Sequence, residues 1–328
     1  MPFAQIAGIG SYLPERRLTN ADLEKMVDTS DEWITTRTGI RERRIVAEGE
    51  STSDLAARAC ERALADAEVS GDEVDMLVLG TTSPDYVFPA TACFVQAKLG
   101  LTCPAFDVMA ACTAFIYALQ VGVDAIEAGR ARTVLVVGAE ALTRLIDFTD
   151  RSTCVLFGDG AGAVVLRAGD EPGVRCVRLG ADGTGAELLK GGMAAANPPT
   201  AEACANREQF VKMNGNEVFK FAVRVVPQAT RDVLAECGMG LDDVRWLVPH
   251  QANERITKAC AERLDIPAER VVSTIADMGN TSAATIPLSL DGLYTAGNLT
   301  AGDEIVVVGF GAGLTWGAAV IRWTKEAR

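Results

Sequence analysis

Residues 59–80, ACERALADAEVSGDEVDMLVLG, lie on residues 229–250, ATRDVLAECGMGLDDVRWLVPH, at a shift of 170 without a gap. Ala59/Ala229, Leu64/Leu234, Ala65/Ala235, Asp72/Asp242, Val74/Val244, Leu77/Leu247 and Val78/Val248 are identical. Each copy reads as a helix, an acidic loop and a buried strand. A shift of 171 lays VLVVG, ending at Gly138, on IVVVG, ending at Gly309, and AGAVVLR (161–167) resembles WGAAVIR (316–322) further along both halves. Helix-loop-strand units look alike in many α/β proteins, but three matches in the same order favour duplication. The strand-like runs alternate with helical patterns throughout, so the fold class is α/β. The expected halves are 1–170 and 171–328.

The repeat reaches a cysteine. At a shift of 168, CTAFIYALQVGVDAIEAG from Cys112 lies on NTSAATIPLSLDGLYTAG from Asn280, and both end in Ala-Gly. This pairing makes Cys112 and Asn280 equivalent positions. Both segments are apolar on nearly every side, which predicts helices buried between layers. Gly129 and Gly297 are natural stops, and Pro287 predicts that the second helix starts late or bends. A pseudo-twofold brings the helix N-termini together, where a site would form.

Composition narrows the chemistry. The formal charge of −13 disfavours bulk attraction to nucleic acid or anionic membrane, so an acidic partner needs a local basic patch. No apolar run reaches membrane-spanning length, and the N-terminus lacks a signal-peptide pattern. The nine cysteines form no CxxC pair, and one histidine makes a zinc site improbable. A cytoplasmic protein with reduced thiols is the expectation.

A thiol at a helix N-terminus faces free N–H groups and the positive end of the helix dipole, which predicts a lowered pKa for Cys112. The other eight cysteines read as inert. His250 ends a strand and is the only imidazole available to a cysteine nucleophile. Asn280 could be a plain helix cap, although its pairing with Cys112 argues for more. The order Cys, His, Asn is also that of papain-like proteases, but the residues around Cys112 do not fit that pattern. The glycine clusters at 157–165 and 306–323 do not lead into a helix that would hold a dinucleotide. The second fits a tight turn whose amides could form an oxyanion hole.

Seven strings carry a family resemblance: DEWITTRTGIRERR (31–44), AACTAF (110–115), DRSTCVLFGDGAGA (150–163), MNGNEVFKFAV (213–223), PHQANERI (249–256), GNTSAAT (279–285) and GFGAGLTWG (309–317). Together they make the chain similar to β-ketoacyl-[acyl-carrier-protein] synthase III of the thiolase superfamily. The resemblance implies a homodimer of thiolase-like, duplicated five-layer αβαβα subunits. It implies acyl transfer from acyl-CoA to Cys112, then decarboxylative condensation with malonyl-ACP, initiating fatty-acid synthesis with no cofactor beyond these substrates. Relatives with the same triad prime polyketide or alkylquinolone pathways or transfer acyl groups to esters and amides.

Residue by residue, the resemblance implies catalysis by Cys112, His250 and Asn280, with His250 and Asn280 donating to the malonyl oxygen. The oxyanion hole would be the amides of Cys112 and the 311–313 turn, centred on Ala312. Trp33 and Arg151 would sandwich the adenine of CoA, with Arg37 near its phosphates. Gly215, Ala252, Asn253 and Phe310 would line the substrate tunnel, and Phe88 would close the acyl pocket across the dimer. Lys220, Arg224, Gln251, Arg255 and Lys258, with Arg263, would meet the acyl carrier protein. Two departures from the family pattern, Thr113-Ala114 after the cysteine and Ala312 in the turn, bear on the acyl pocket.

Overall fold

The computed structural model describes residues 1–326. The major elements of the first half are β1 (Phe3–Tyr12), α1 (Asp31–Thr38), α2 (Thr52–Ala67), β2 (Met76–Gly80), α3 (Thr91–Leu99), β3 (Ala105–Val108), α4 (Ala114–Glu127), β4 (Thr133–Glu140) and β5 (Gly160–Gly169). Those of the second are β6 (Val174–Ala181), α5 (Gly215–Glu236), β7 (Trp246–Pro249), α6 (Glu254–Leu264), α7 (Thr285–Thr295), β8 (Glu304–Gly311) and β9 (Thr315–Arg322).

One sheet runs in the order β1-β5-β4-β2-β3 and the other in the order β6-β9-β8-β7. Their pairing directions match. β2 and β4 are parallel, like β7 and β8, and β4 and β5 are antiparallel, like β8 and β9. The second sheet lacks a full counterpart of β3. Its remnant is a parallel bridge from Leu247 to Val271, where the matching Leu77 pairs with Ala105. The third sequence match loses the common offset because residues 141–159 join β4 to β5, whereas only 312–314 join β8 to β9.

The layers follow from which faces are apolar. Helix α2 starts at Ser51, whose amide and hydroxyl both donate to the Asp54 carboxylate, at 2.9 and 2.8 Å. Its buried face, Leu55, Ala59 and Ala63, packs on the outer side of the first sheet with Val95 of α3. Val226, Val233 and Leu234 of α5, with Ile256 and Cys260 of α6, cover the outer side of the second. Between the sheets, Phe115, Ile116 and Leu119 of α4 meet Ile286 and Leu290 of α7, with Val136 and Val307 from the flanking sheets. The order of layers is therefore αβαβα, a thiolase-like α/β architecture.

The central helices are not in the register their sequences suggested. Each is entered through a short 3-10 turn, Ala111–Thr113 before α4 and Ser282–Ala284 before α7. Ala111 and Ser282 share the same uncommon backbone, φ +49° and +48°. The equivalence at the helix starts is therefore Ala111 with Ser282 and Cys112 with Ala283, a shift of 171. At the ends, Ala128 and Ala296 cap the helices at a shift of 168. Helix α7 is shorter by about one turn, 11 residues against 14. Asn280 thus precedes the turn rather than mirroring Cys112.

The cysteines also differ from expectation at one pair. Cys176 on β6 and Cys237, which caps α5, form a disulfide with Cα atoms 6.1 Å apart. Their 61-residue separation left no local pattern to read, because only the packing of α5 over the second sheet brings them together. The other seven are free thiols. Among the described residues, no helix is long and apolar enough to cross a membrane.

Candidate active site

Cys112 is half-buried in the turn ahead of α4 and lines two cavities at once. The close approach of β8 beneath it requires glycine. A Cβ on Gly311 would stand 2.7 Å from the Cys112 nitrogen, so even alanine would displace the nucleophile's backbone. In the first sheet, a Cβ on Gly138, the counterpart of Gly309, would meet the Ala283 carbonyl at 2.3 Å.

The smaller cavity, about 120 Å³, brings Cys112, His250 and Asn280 together with Gly215, Ala252, Asn253 and Phe310. His250 follows β7, whose direction is continued by a hydrogen bond from the His250 amide to the Val308 carbonyl at 2.8 Å. Its ring stacks edge-on against Phe310, centroids 5.5 Å apart. Burial pushes the imidazole down to about 3, so it is neutral at physiological pH. Asn280 is held by its own backbone, donating to Leu156 and accepting from Gly158. Its Oδ1 accepts from the Ser282 amide at 2.8 Å, which leaves Nδ2 as a donor on the cavity side.

The larger cavity, about 370 Å³, lies on the other side of Cys112 and includes Ala312 and Ser282 among largely apolar neighbours such as Leu142, Leu145 and Phe157. Thr113 and Ala114 are buried and line neither cavity. The Thr113 hydroxyl donates instead to the Ala110 carbonyl at 2.6 Å and pairs with the Thr315 hydroxyl at 2.8 Å, so the two unusual residues pack away from the site. Of the two departures, only Ala312 faces a cavity.

The thiol does not behave as its helix position predicted. Burial pushes Cys112 up to about 12, the Ser282 hydroxyl pulls the other way, and the Glu140 carboxylate adds to the rise. Loss of water at an apolar pocket outweighs the helix N-terminus here. Glu140 is a feature sequence reading missed, although a charged residue closing the apolar strand VLVVGAE was a signal. It is fully buried, and its carboxylate accepts from the backbone and hydroxyl of Thr82 and from Ser83, while the Ala283 amide reaches it at 3.4 Å. Ala283 is the counterpart of Cys112, so Glu140 lies against the turn before α7 at the place that Gly311 takes against the turn before α4. Iodoacetamide modification of Cys112 should therefore rise about tenfold per pH unit from pH 8 to 10, followed by peptide mass spectrometry. A plateau near pH 8 would contradict the raised pKa.

The surface residues are placed more variously. The Arg37 and Arg151 guanidinium groups stack on Trp33 at 4.9 and 4.8 Å from the ring centroid. Arg151 lies directly on the ring, so an adenine would enter only by displacing it. Helix α1, which carries Trp33, ends at Gly39 in a left-handed conformation, φ 82°, where a Cβ would strike Glu254 of α6. That packing sets α1 beside α6, whose cap Asn253 lines the smaller cavity.

Lys220, Arg224, Arg255 and Lys258 are exposed along α5 and α6. Glu217 pairs with Lys220 and Glu254 with Lys258. Arg255 has no such acid partner among the described residues and lies over Phe219 at 5.7 Å. The Arg263 guanidinium is tied to the Val223 carbonyl at 2.5 Å. Gln251 does not belong to this surface. It is buried, donating to the Pro249 and Val272 carbonyls and accepting from Thr274, so it braces the loop after β7. Phe88 is 84% exposed and lines neither cavity.

A duplicated α/β sandwich with one cysteine set between two cavities, one of them holding a histidine and an asparagine, is the form of a thiolase-like condensing acyltransferase. Two family models match the chain: 3-oxoacyl-[acyl-carrier-protein] synthase III over residues 106–183 and its C-terminal part over 234–323. The chain belongs to the β-ketoacyl-[acyl-carrier-protein] synthase III family. It is 51% identical over 327 residues to a member from Xanthomonas campestris, covering 98% of each chain. The crystal structure of 3-oxoacyl-[acyl-carrier-protein] synthase III from Aquifex aeolicus is similar at TM-score 0.91 and 46% identity, with 98% of this chain and 100% of that one covered. A priming β-ketosynthase from the R1128 polyketide pathway is similar at TM-score 0.93 and 37% identity, covering 100% of this chain and 98% of that one.

Proposed function

We propose that this enzyme condenses an acyl-CoA starter with malonyl-ACP through an acyl-Cys112 thioester, giving β-ketoacyl-ACP for fatty-acid synthesis. The observation that carries the reading is Cys112 at the junction of the two cavities. In the smaller one His250 and the Asn280 amide stand ready for chemistry, and the larger gives the acyl group room. A covalent intermediate lets two bulky carriers use one site in turn. The Cys112 thiol adds to the acyl-CoA carbonyl, CoA leaves as the thiol, and the amides of Cys112 and the Ala312 turn receive the oxyanion. Malonyl-ACP then loses carbon dioxide, and its enolate carbon attacks the thioester and expels the Cys112 thiolate, which takes a proton from water to return the thiol. The charge that builds on the malonyl oxygen calls for neutral donors, as Asn280 Nδ2 and a neutral His250 would be. Substrates enter with no cofactor, and CoA would approach along Trp33, Arg37 and Arg151. Gly215, Ala252 and Asn253 would then line its pantetheine arm.

Two protein partners fit this reading. The exposed apolar residues Tyr86, Val87 and Phe88, with Met109 at the rim of the larger cavity, suit a homodimer in which Phe88 closes the partner's acyl pocket. Arg224, Arg255, Lys220 and Lys258 suit an acidic carrier protein. Reversal of Arg255 to Glu should lower kcat/KM for malonyl-ACP about tenfold, more strongly at low salt, while acylation by acyl-CoA is unchanged. Equal effects on both half-reactions would remove the docking role.

A second reading is a priming ketosynthase of secondary metabolism, favoured by the similarity to the R1128 enzyme. Carbon dioxide release on mixing acyl-CoA, malonyl-ACP and enzyme tests the lead. Release with the ACP of fatty-acid synthesis supports it, while a requirement for a dedicated carrier protein favours the second. The two halves, 1–170 and 171–328, would descend from one duplicated unit.

A further inference from the structure

His250 is the only histidine in the chain, and its two nitrogens sit in different settings. Nδ1 lies 3.2 Å from the Thr285 hydroxyl, in the first turn of α7. Nε2 is buried and has no hydrogen-bond partner among the described residues. The Thr285 hydroxyl has one proton to give and two lone pairs to offer. Its nearest pure acceptor is the Ser282 carbonyl at 2.8 Å. Thr281, 3.3 Å away, is a hydroxyl that can donate in return. With its proton on Ser282, Thr285 meets Nδ1 as an acceptor, an arrangement that favours the ring proton on Nδ1.

We propose that Thr285 is a positioning residue that holds resting His250 in its Nδ1–H tautomer, leaving a bare Nε2 lone pair in the cavity it shares with Cys112. The inference rests on the acyl-Cys112 reading for its role and on geometry alone for the tautomer. In acylation, Nε2 takes the Sγ–H proton as the sulfur bonds to the thioester carbonyl. When the tetrahedral intermediate collapses, the C–S bond to CoA breaks and the same proton passes to the CoA sulfur. The ring returns to its starting state, and Cys112 holds the acyl group. A base is needed because the buried thiol is protonated at neutral pH. Donation from Nε2 to the malonyl oxygen in the second half-reaction requires the other tautomer, which Thr285 accommodates by turning its hydroxyl from Ser282 onto Nδ1.

A single histidine makes the test direct. With 15N-histidine incorporated into the full chain, the imidazole gives one pair of ring nitrogen resonances. Wild type and Thr285→Ser should show a protonated Nδ1 and an unprotonated Nε2. Thr285→Val, which keeps the shape but offers no acceptor, should move the proton toward Nε2. The same variant should lower the rate of acylation about tenfold or more, with KM for acyl-CoA little changed, and Thr285→Ser should restore it. A protonated Nε2 in the wild type overturns the proposal, as does a Thr285→Val spectrum identical to wild type. Should Cys112 take no acyl group from any acyl-CoA while the wild-type ring shows the Nδ1–H pattern, the tautomer assignment stands and the acyl-transfer reading falls.

Discussion

Incubated with a panel of acyl-CoAs, the wild-type chain should gain one acyl mass, and the modified peptide should contain Cys112. The Cys112→Ala variant should gain none and should lose condensation by about four orders of magnitude or more, since removing a covalent nucleophile removes the path rather than slowing it. The other six free thiols make a site-resolved measurement necessary. Cys93 and Cys204 are exposed and open to adventitious acylation, whereas Cys60 and Cys260 are buried and pushed up by burial, Cys260 to about 12. An adduct on Cys93 or Cys204 alone, with Cys112 bare, would overturn the assignment of the nucleophile. The acyl-CoA that modifies Cys112 fastest also identifies the starter that the larger cavity prefers, and therefore reports on the Ala312 methyl at its wall.

The second large effect is expected at Asn280. Removing its amide in Asn280→Ala should lower condensation by about a hundred- to a thousandfold, the usual consequence of losing one preorganised oxyanion donor. Acylation of Cys112 should persist, so the variant should accumulate the acyl form, visible by intact mass. That separation matters because Asn280 also accepts from the Ser282 amide, and a variant that merely loosened the turn before α7 would impair acylation and condensation together. Equal loss in both half-reactions would therefore argue for a structural role. The melting temperature of the variant checks the remaining possibility, since loss of the bond to Ser282 removes about 1 kcal/mol from a buried turn.

The pH behaviour follows from the same burial. His250 has its folded pKa depressed to about 3, so below that value the native state would have to charge a buried ring. Its contribution to stability is thus fully present above the unfolded value near 6.5 and is lost as the pH falls below it. Around neutrality the ring stays neutral and rates should show no imidazole titration. The rise above neutrality is expected in the alkylation of Cys112, whose thiol ionises there.

The periodicity and the repeat were enough to specify two related α/β halves, because a buried strand and its covering helix leave the same apolar pattern wherever they occur. Cys112, His250 and Asn280 were legible for a different reason: each is a chemically distinctive residue at the end of an element, and His250 has no competitor in the chain. Register was not legible. The sequence alignment at 168 paired Cys112 with Asn280, yet the backbone pairs Cys112 with Ala283, since α7 has lost a turn and only the entry conformations at Ala111 and Ser282 reveal it. Gln251 looked like a surface contact because it lies between His250 and a helix start, and only the packed loop after β7 shows its amide fully bonded inside.

Charge states and long-range partners were decided by the tertiary structure. A helix N-terminus read in isolation lowers a thiol's pKa, but whether water also reaches the sulfur depends on residues as far along the chain as Ser282 and Ala312, and here burial raises it. Glu140 lies in none of the family strings, and Ser282 and Thr285 have no assigned role within GNTSAAT; their importance comes from lying beside Cys112 or His250 once the two halves close on each other. Local sequence set the helices, strands and reactive residue types, because those depend on near neighbours along the chain. Solvation, tautomer and the Cys176–Cys237 pair depend on neighbours in space, and only the folded chain supplies them.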